Sequence, residues 1–139
     1  MTSPGATRPP DLVSKELDHL LNSAQLADRA AHLALEKKAH DIKILDLRKL
    51  TSAADYFVVC SADSETQVKA IADHITETLG KEDSKPWHVE GLEGRRWVLL
   101  DCVDVVVHVF YTETRSFYAL ENLWGDAPVT HIDDAREIA

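Results

Sequence analysis

One segment constrains the fold of this chain more than any other: residues 95–111, which read RRWVLLDCVDVVVHVFY. Two apolar runs with a period of two flank a short polar break, which is the pattern of a β-hairpin. A two-residue turn at Cys102 and Val103 would place Asp101 opposite Asp104 and Trp97 opposite His108. The sequence therefore predicts two paired strands with a tight turn between them.

The two faces of this hairpin differ in chemistry. One is purely aliphatic and fits burial beneath helices, with the residues Val98, Leu100, Val105, Val107 and Val109. The other combines apolar side chains with an indole, an imidazole and carboxylates, in the residues Trp97, Leu99, Asp101, Asp104, Val106, His108 and Phe110. This second face has the make-up of a contact surface, and facing carboxylates would favour a basic partner. The alternative is that it is also core, with His108 bonded to a backbone carbonyl.

Length and charge limit the function further. The chain has 139 residues, enough for one domain with a hydrophobic core. Its 15 basic and 24 acidic residues give a net charge of −9, which argues against direct nucleic-acid binding as the main activity and favours a basic protein partner. No apolar run approaches the ~20 residues that cross a membrane, and the N-terminus lacks a signal sequence, so we expect a cytoplasmic protein.

Catalytic and metal sites are not indicated. Cys60 and Cys102 lie in or beside apolar strand-like runs without metal-ligand spacing, and we expect both to be reduced. The seven histidines form no metal-binding motif, and we expect no cofactor. Asp101 and Asp104 straddle a turn, whereas a metal-clamping pair on one strand needs the spacing i and i+2. The strand-to-helix connection at residues 61–64 has no glycine that would cradle a phosphate.

The rest of the chain alternates between helix and strand patterns. Residues 1–11 suit a disordered leader, and residues 126–139 lack periodicity and suggest an exposed extension. Helices are predicted at 12–39, with Ser23 as a candidate interruption, at 64–79, with a capping box and a Gly80 C-cap, and at 115–124. Strands are predicted at 42–47, 55–61 and 87–89 besides the hairpin. The pattern predicts one α/β domain over residues 12–125, with a mixed sheet of about five strands flanked by helices.

Several ordered blocks resemble the ribosomal silencing factor family, also called RsfS or Iojap. They are DYFVV at 55–59, QVKAIAD at 67–73, VEG at 89–91, WVLLD at 97–101 with DVVVHVF at 104–110, and Arg115 with YALENLW at 118–124. Together they span about three quarters of the chain. A match through several blocks in order is far more specific than a single short motif.

The resemblance implies a non-enzymatic protein of nucleotidyltransferase-like topology that binds the large ribosomal subunit through ribosomal protein fourteen. There it would block joining of the small subunit and repress translation. By matched position, Trp97 would be the aromatic anchor, and the acidic residues would pair with Lys or Arg of the partner. For the aromatic side chains, packing in the core is the competing interpretation. The implied partner-binding residues are Glu90, Trp97, Leu99, Asp101, Asp104, His108 and Tyr118.

One position departs from the family pattern, which usually has glycine where this chain has Val103. A tight type I′ turn needs a positive φ there, which a β-branched residue resists. Either the turn differs or the loop is longer, and a longer loop would shift the strand register. Two other functions stay open: a magnesium-dependent nucleotide-binding or nucleotidyltransferase-like enzyme, and a homodimer formed through the Trp97 face.

Overall fold

Helices and strands alternate along the part of the chain that the computed structural model describes, residues 21–118 and 120–133, with the backbone alone described at 116–118. In chain order the elements are α1 (Ser23–Glu36), β1 (His40–Asp46), β2 (Tyr56–Ala62), α2 (Glu65–Lys81), β3 (His88–Glu90), β4 (Trp97–Asp101), β5 (Val105–Tyr111), α3 (Thr112–Tyr118), α4 (Leu120–Leu123) and β6 (Val129–Ile132). Within these ranges no helix is both long enough and apolar enough to cross a membrane.

The strands form one mixed sheet in the order β3-β4-β5-β2-β1-β6. Strands β2 and β5 are parallel, and the other neighbouring pairs are antiparallel. The predicted α/β fold with a mixed sheet is confirmed, although the sheet has six strands rather than about five. The additional strand, β6, lies within the predicted C-terminal extension, so the expectation of an irregular tail is wrong for these four residues.

Both long helices begin at side-chain caps. Asn22 and Gln25 bond each other's backbone N–H groups in a capping box that starts α1, and predicted helical residues 12–20 lie outside the described residues. Ser64 caps α2, and the Gln67 side chain donates to the carbonyls of Lys37 and Lys38 at the end of α1. The two helices are thereby joined end to start. The predicted cap at residue 80 is wrong, because α2 continues to residue 81 and Glu82 follows as the cap.

The aliphatic face of the hairpin packs beneath these helices, as predicted. Its five residues are all fully buried in one cluster with the small and branched side chains of α1 and α2. Alanines at four positions of α1 are fully buried, which lets the helix axis approach the sheet closely. Burying each valine or leucine on this face contributes about 1.5–3 kcal/mol, so this cluster is the main source of stability.

The hairpin register differs from the prediction by two residues. Asp101 lies opposite Val106, and Trp97 lies opposite Phe110, because residues 102–104 form a longer loop. The Cys102 N–H donates to the Val105 carbonyl at 2.8 Å. Because a shift by two keeps every side chain on its own side, the two predicted faces survive although the facing pairs do not.

Within this loop, Val103 has a φ of +74°, and its N–H donates to Asp101 Oδ1 at 2.8 Å. A positive φ is strained for a β-branched residue. The loop therefore takes the left-handed conformation that a glycine would favour, and the Asp101 side chain supports it.

The predicted closing helix is also different, because two short helices, α3 and α4, replace one continuous helix at 115–124. The chain then turns, with the Ala127 N–H donating to the Trp124 carbonyl at 3.0 Å, and enters β6 beside β1. We call residues 112–128 the strap. It leaves the sheet at the end of β5 and returns at the opposite end of the sheet, where Val129 pairs with Leu45.

Candidate partner-binding surface

The second face of the sheet is divided into two halves by the strap. Leu120 and Trp124 of the strap pack over one half, together with buried Leu45, Val59 and Phe110. The other half lies on β3, β4 and the start of β5, and we call it the open half. Its apolar residues are partly exposed and its rim is polar; the residues are His88, Glu90, Trp97, Leu99, Asp101 and Val106.

Aromatic rings connect the two halves. Trp97 stacks on Phe110 with ring centroids 5.1 Å apart and planes inclined by 22°. The ring of Phe57 meets His108 edge-on at 4.5 Å and Trp124 edge-on at 6.2 Å. Such offset and edge-on contacts are the favourable arrangements of aromatic pairs. The partly exposed indole of Trp97 therefore rests on a packed aromatic layer.

A hydrogen bond fixes the indole as well. Trp97 Nε1–H donates to His108 Nδ1 at 3.0 Å, although the two residues are diagonal rather than directly opposite as predicted. His108 is only 3 % exposed, and burial lowers its pKa to about 4, so it is neutral at pH 7. Because Nδ1 accepts, the proton of the neutral ring lies on Nε2. The alternative of a backbone carbonyl partner for His108 is not what the structure shows.

The acidic residues of the prediction fall in three different settings. Asp101 is partly exposed and caps the loop, and Glu90 lies 2.9 Å from His88 on the adjacent edge strand. Asp104 is exposed in the loop, and its backbone carbonyl accepts from Asp55 N–H at 2.7 Å. The predicted facing pair of Asp101 and Asp104 is therefore wrong, and carboxylate repulsion across the hairpin no longer argues for a basic partner.

The structure thus brings Glu90, Trp97, Leu99 and Asp101 onto one accessible face, with His108 beneath the indole. Asp104 lies at the end of that face, in the loop. The backbone of Tyr118 belongs to α3, and its side chain lies outside the described residues.

A polar cavity of about 430 Å³ lies on the same side of the sheet, at the carboxyl ends of β2 and β5. Its buried Arg115 donates to Glu121 Oε2 from Nε at 3.1 Å and from Nη2 at 2.9 Å. Its Nη1 donates to the Asp41 carbonyl at 2.6 Å and to Ser61 Oγ at 2.8 Å. Lys43 Nζ also lies 3.4 Å from Glu121. These charges bond to one another and fix the start of the strap to the sheet.

The same bonds set the ionisation of Glu121. Burial by itself would raise the pKa of this carboxyl, but the hydrogen bonds and charge of Arg115, with the charge of Lys43, outweigh it and hold the pKa below its usual range. Glu121 is therefore a carboxylate at neutral pH. In the described ranges, no three His, Cys, Asp or Glu side chains converge as a metal site. Cys60 and Cys102 are both free thiols, and burial raises their pKa values to about 12 and about 11.

Comparison with known proteins gives the family. Residues 21–139 match the family model described as ribosomal silencing factor during starvation. The chain belongs to the ribosomal silencing factor (RsfS) family. It is 42 % identical over 113 residues to the ribosomal silencing factor RsfS of Bacillus subtilis, covering 81 % of this chain and 96 % of that protein. It is 35 % identical to the chloroplastic protein Iojap of Zea mays, covering 86 % of this chain and 51 % of the maize protein.

Solved structures agree with this assignment to the RsfS family. A crystal structure of a Chromobacterium violaceum protein superposes with a TM-score of 0.73 at 36 % identity. The match covers 76 % of this chain and 88 % of that one. A Bacillus halodurans structure gives a TM-score of 0.66, also at 36 % identity. The predicted family membership is confirmed.

Sequence reasoning missed two aromatic contributors to the surface of this RsfS-family chain. Phe57 shares the second face with Val59, as the period of two along β2 would have indicated, but the all-apolar strand concealed the difference between its faces. Trp87 is 68 % exposed at the start of the edge strand, and no pattern in the sequence distinguishes it from a buried tryptophan. Its ring packs against that of His88 in the open half, with centroids 5.6 Å apart.

Proposed function

We propose that the chain binds the large ribosomal subunit through ribosomal protein fourteen and sterically blocks joining of the small subunit, which represses translation. This role involves no catalysis and places the protein in the cytoplasm. The relatives named ribosomal silencing factors support the general role. The observation that carries the proposal is the open half, an accessible apolar strip with a fixed tryptophan and carboxylates at its rim.

The tryptophan is the expected energetic centre of the contact. Tryptophan is enriched among the interface residues that contribute most to affinity. Its stacking on Phe110 and its bond to His108 hold the Trp97 side chain in one orientation before binding. Docking then loses little side-chain entropy, which raises the affinity that a given contact area provides.

Charge favours a basic partner. The net charge of −9 attracts a cationic surface over a distance, and Glu90 and Asp101 offer carboxylates beside the apolar strip. Since carboxylates repel phosphates, a protein component of the ribosome fits this rim better than bare RNA does. The block itself is steric: a compact chain of this length has a radius of gyration of roughly 14 Å, enough to hold two surfaces apart.

Co-sedimentation with purified large subunits tests the proposal. Trp97→Ala should weaken binding about 30-fold, because it removes a central aromatic anchor. Asp101→Asn keeps the oxygen that accepts from Val103 N–H and removes only the charge, so binding should weaken roughly three- to tenfold and depend less on salt.

Matched controls are Leu50→Ala, an exposed apolar residue between β1 and β2, and Asp28→Asn, an exposed carboxylate on α1. Both should bind like the native chain and keep its circular dichroism. Equal sedimentation of all five proteins would remove the proposed surface, and failure of the native chain to sediment would remove the function. Crosslinking to ribosomal protein fourteen and an assay of subunit joining test the two finer claims.

A magnesium-dependent nucleotide-binding enzyme is the second candidate, favoured by the cavity at the carboxyl ends of β2 and β5, where α/β sheets commonly bind ligands. It predicts that a nucleoside triphosphate with magnesium raises the melting temperature. Under the leading proposal no such rise occurs, since Arg115 and Lys43 are bonded to Glu121. A homodimer through the Trp97 face would be detected by analytical ultracentrifugation.

A further inference from the structure

The strap covers half of the second face with few buried side chains. Helix α4 has four residues, none of them buried, and Leu123 is 72 % exposed. Among the described residues, the strap side chains that pack here are Leu120, Trp124 and Ala127, and only the small Ala127 is buried. Covers with few buried apolar contacts open more readily than long packed helices do.

Two buried donors lie at this cover without an acceptor. Among the described residues, no hydrogen-bond acceptor is found for His108 Nε2 or for Trp124 Nε1, although both atoms are shielded from solvent. Both rings contact the same side chain, Phe57. A buried donor without an acceptor loses its bonds to water and gains none in return. Opening the cover would let the indole N–H of Trp124 bond to water. The unpaired donor therefore destabilises the closed arrangement relative to the open one.

The strap is fixed on both sides of Trp124. Before it, Glu121 is bonded to Arg115. After it, the Pro128 carbonyl accepts from Asp46 N–H at 2.9 Å. Between these two points, Gly125 is exposed, and the Ala127 N–H donates to the Trp124 carbonyl, a backbone bond that rotation of the indole leaves in place. Displacement of Trp124 is therefore a local change that leaves the sheet intact.

We propose that Trp124 is a displaceable plug that competes with the ribosomal partner for the surface around Phe57 and His108. The inference rests on the proposed function and deepens it, since it enlarges the same binding face. With the indole removed, the face offers the Phe57 ring and the Nε2–H donor of His108 beside Trp97. This chemistry fits a partner segment that brings an apolar side chain next to a backbone carbonyl oxygen.

Two substitutions of the plug have opposite expected effects. Trp124→Ala removes the competitor, so large subunits should bind several-fold more tightly than to the native chain. Trp124→Phe keeps a ring on Phe57 and removes the unpaired donor, so the melting temperature should rise and binding should be unchanged or weaker. Leu123→Ala is the matched control, because this neighbouring side chain faces solvent, and it should match the native chain. Weaker or equal binding by folded Trp124→Ala would overturn the proposal.

Hydrogen exchange on the native chain provides a test without substitutions. In the free chain, amides of residues 122–127 should exchange faster than those of β5, and binding of large subunits should speed them further while β4 becomes protected. Slow exchange of these amides in the free chain, or their protection on binding, would overturn the plug. If the native chain fails to bind large subunits, the proposed function is lost. In that case, hydrogen exchange of the free chain and the melting temperature of Trp124→Phe still test whether Trp124 is displaceable. An unchanged melting temperature would count against it.

Discussion

The two faces of the sheet use the same strands for opposite purposes. Beneath α1 and α2, the side chains are buried and nearly all aliphatic, with Tyr56 and Cys60 as the exceptions. On the other face, aromatic rings join aliphatic side chains; the half under the strap is largely buried, and the open half is partly exposed. The unpaired donors of His108 and Trp124 are also on that side. Stability is therefore concentrated on one face, which leaves the other free to hold side chains chosen for contact with a partner.

Neighbouring leucines on β4 give the largest test of this comparison. Leu100 faces the helices and is fully buried, whereas Leu99 faces the open half and is partly exposed. Leu100→Ala should lower the free energy of unfolding by about 2–5 kcal/mol and leave subunit binding intact in the folded fraction. Leu99→Ala should cost less than about 1.5 kcal/mol and weaken binding. Urea denaturation and co-sedimentation measure both, and equal effects of the two substitutions would contradict the division of labour.

The second largest effect is expected in the pH dependence of stability, to which His108 of the second face contributes. The pKa of His108 is 6.5 in an unfolded chain and about 4 in the fold, because burial disfavours the charged ring. As pH falls, His108 takes up a proton in the unfolded chain before it does so in the fold. Its contribution to the free energy of unfolding is therefore fully present above about pH 6.5 and is lost as the pH falls to about 4. The expected loss is roughly 3 kcal/mol, at about 1.4 kcal/mol for each pKa unit.

His108→Asn, which keeps an acceptor for the Trp97 indole, should show a shallower fall in unfolding free energy between pH 7 and pH 4 than the native chain. His131→Asn on β6 is the control, because this exposed histidine lies outside the aromatic layer. A native slope in His108→Asn would show that the second face is not the acid-sensitive one.

The smallest effect is expected at the loop that joins β4 to β5. Val103→Gly relieves a β-branched residue at a φ of +74°, but glycine also adds freedom to the unfolded chain. The net gain in unfolding free energy should be about 1 kcal/mol or less, with binding unchanged, as thermal denaturation and co-sedimentation can show. Destabilisation would indicate that the exposed valine side chain makes a stabilising contact.

The sequence predicted the faces of the hairpin but not its register, for a physical reason. Alternation along a strand depends only on the pleat, so Leu99 and Leu100 were assigned to opposite sides correctly. The register depends on loop length, which the conformation of Val103 and the cap from Asp101 determine. Val103 signalled a departure from a tight turn without revealing its size.

The path of the strap could not be predicted from the sequence. A four-residue edge strand carries too little periodicity to be recognised, so β6 was read as irregular. The bonds from Arg115 to Asp41 and Ser61 join residues more than 50 positions apart, and no local pattern encodes them. As a result, the sequence places the hairpin candidates on one face, whereas Phe57, Trp87 and Trp124 were not among its candidates.

The pairing of β4 with β5 also limits which length changes the gene can tolerate. Two added residues slide one strand past the other and leave each side chain in its own environment, whereas a single added residue would turn Trp97 toward the helices and Val98 toward solvent. Length changes that enter the pairing of β4 with β5 should therefore be tolerated in twos and not singly, whereas the loop at residues 102–104 itself can absorb either.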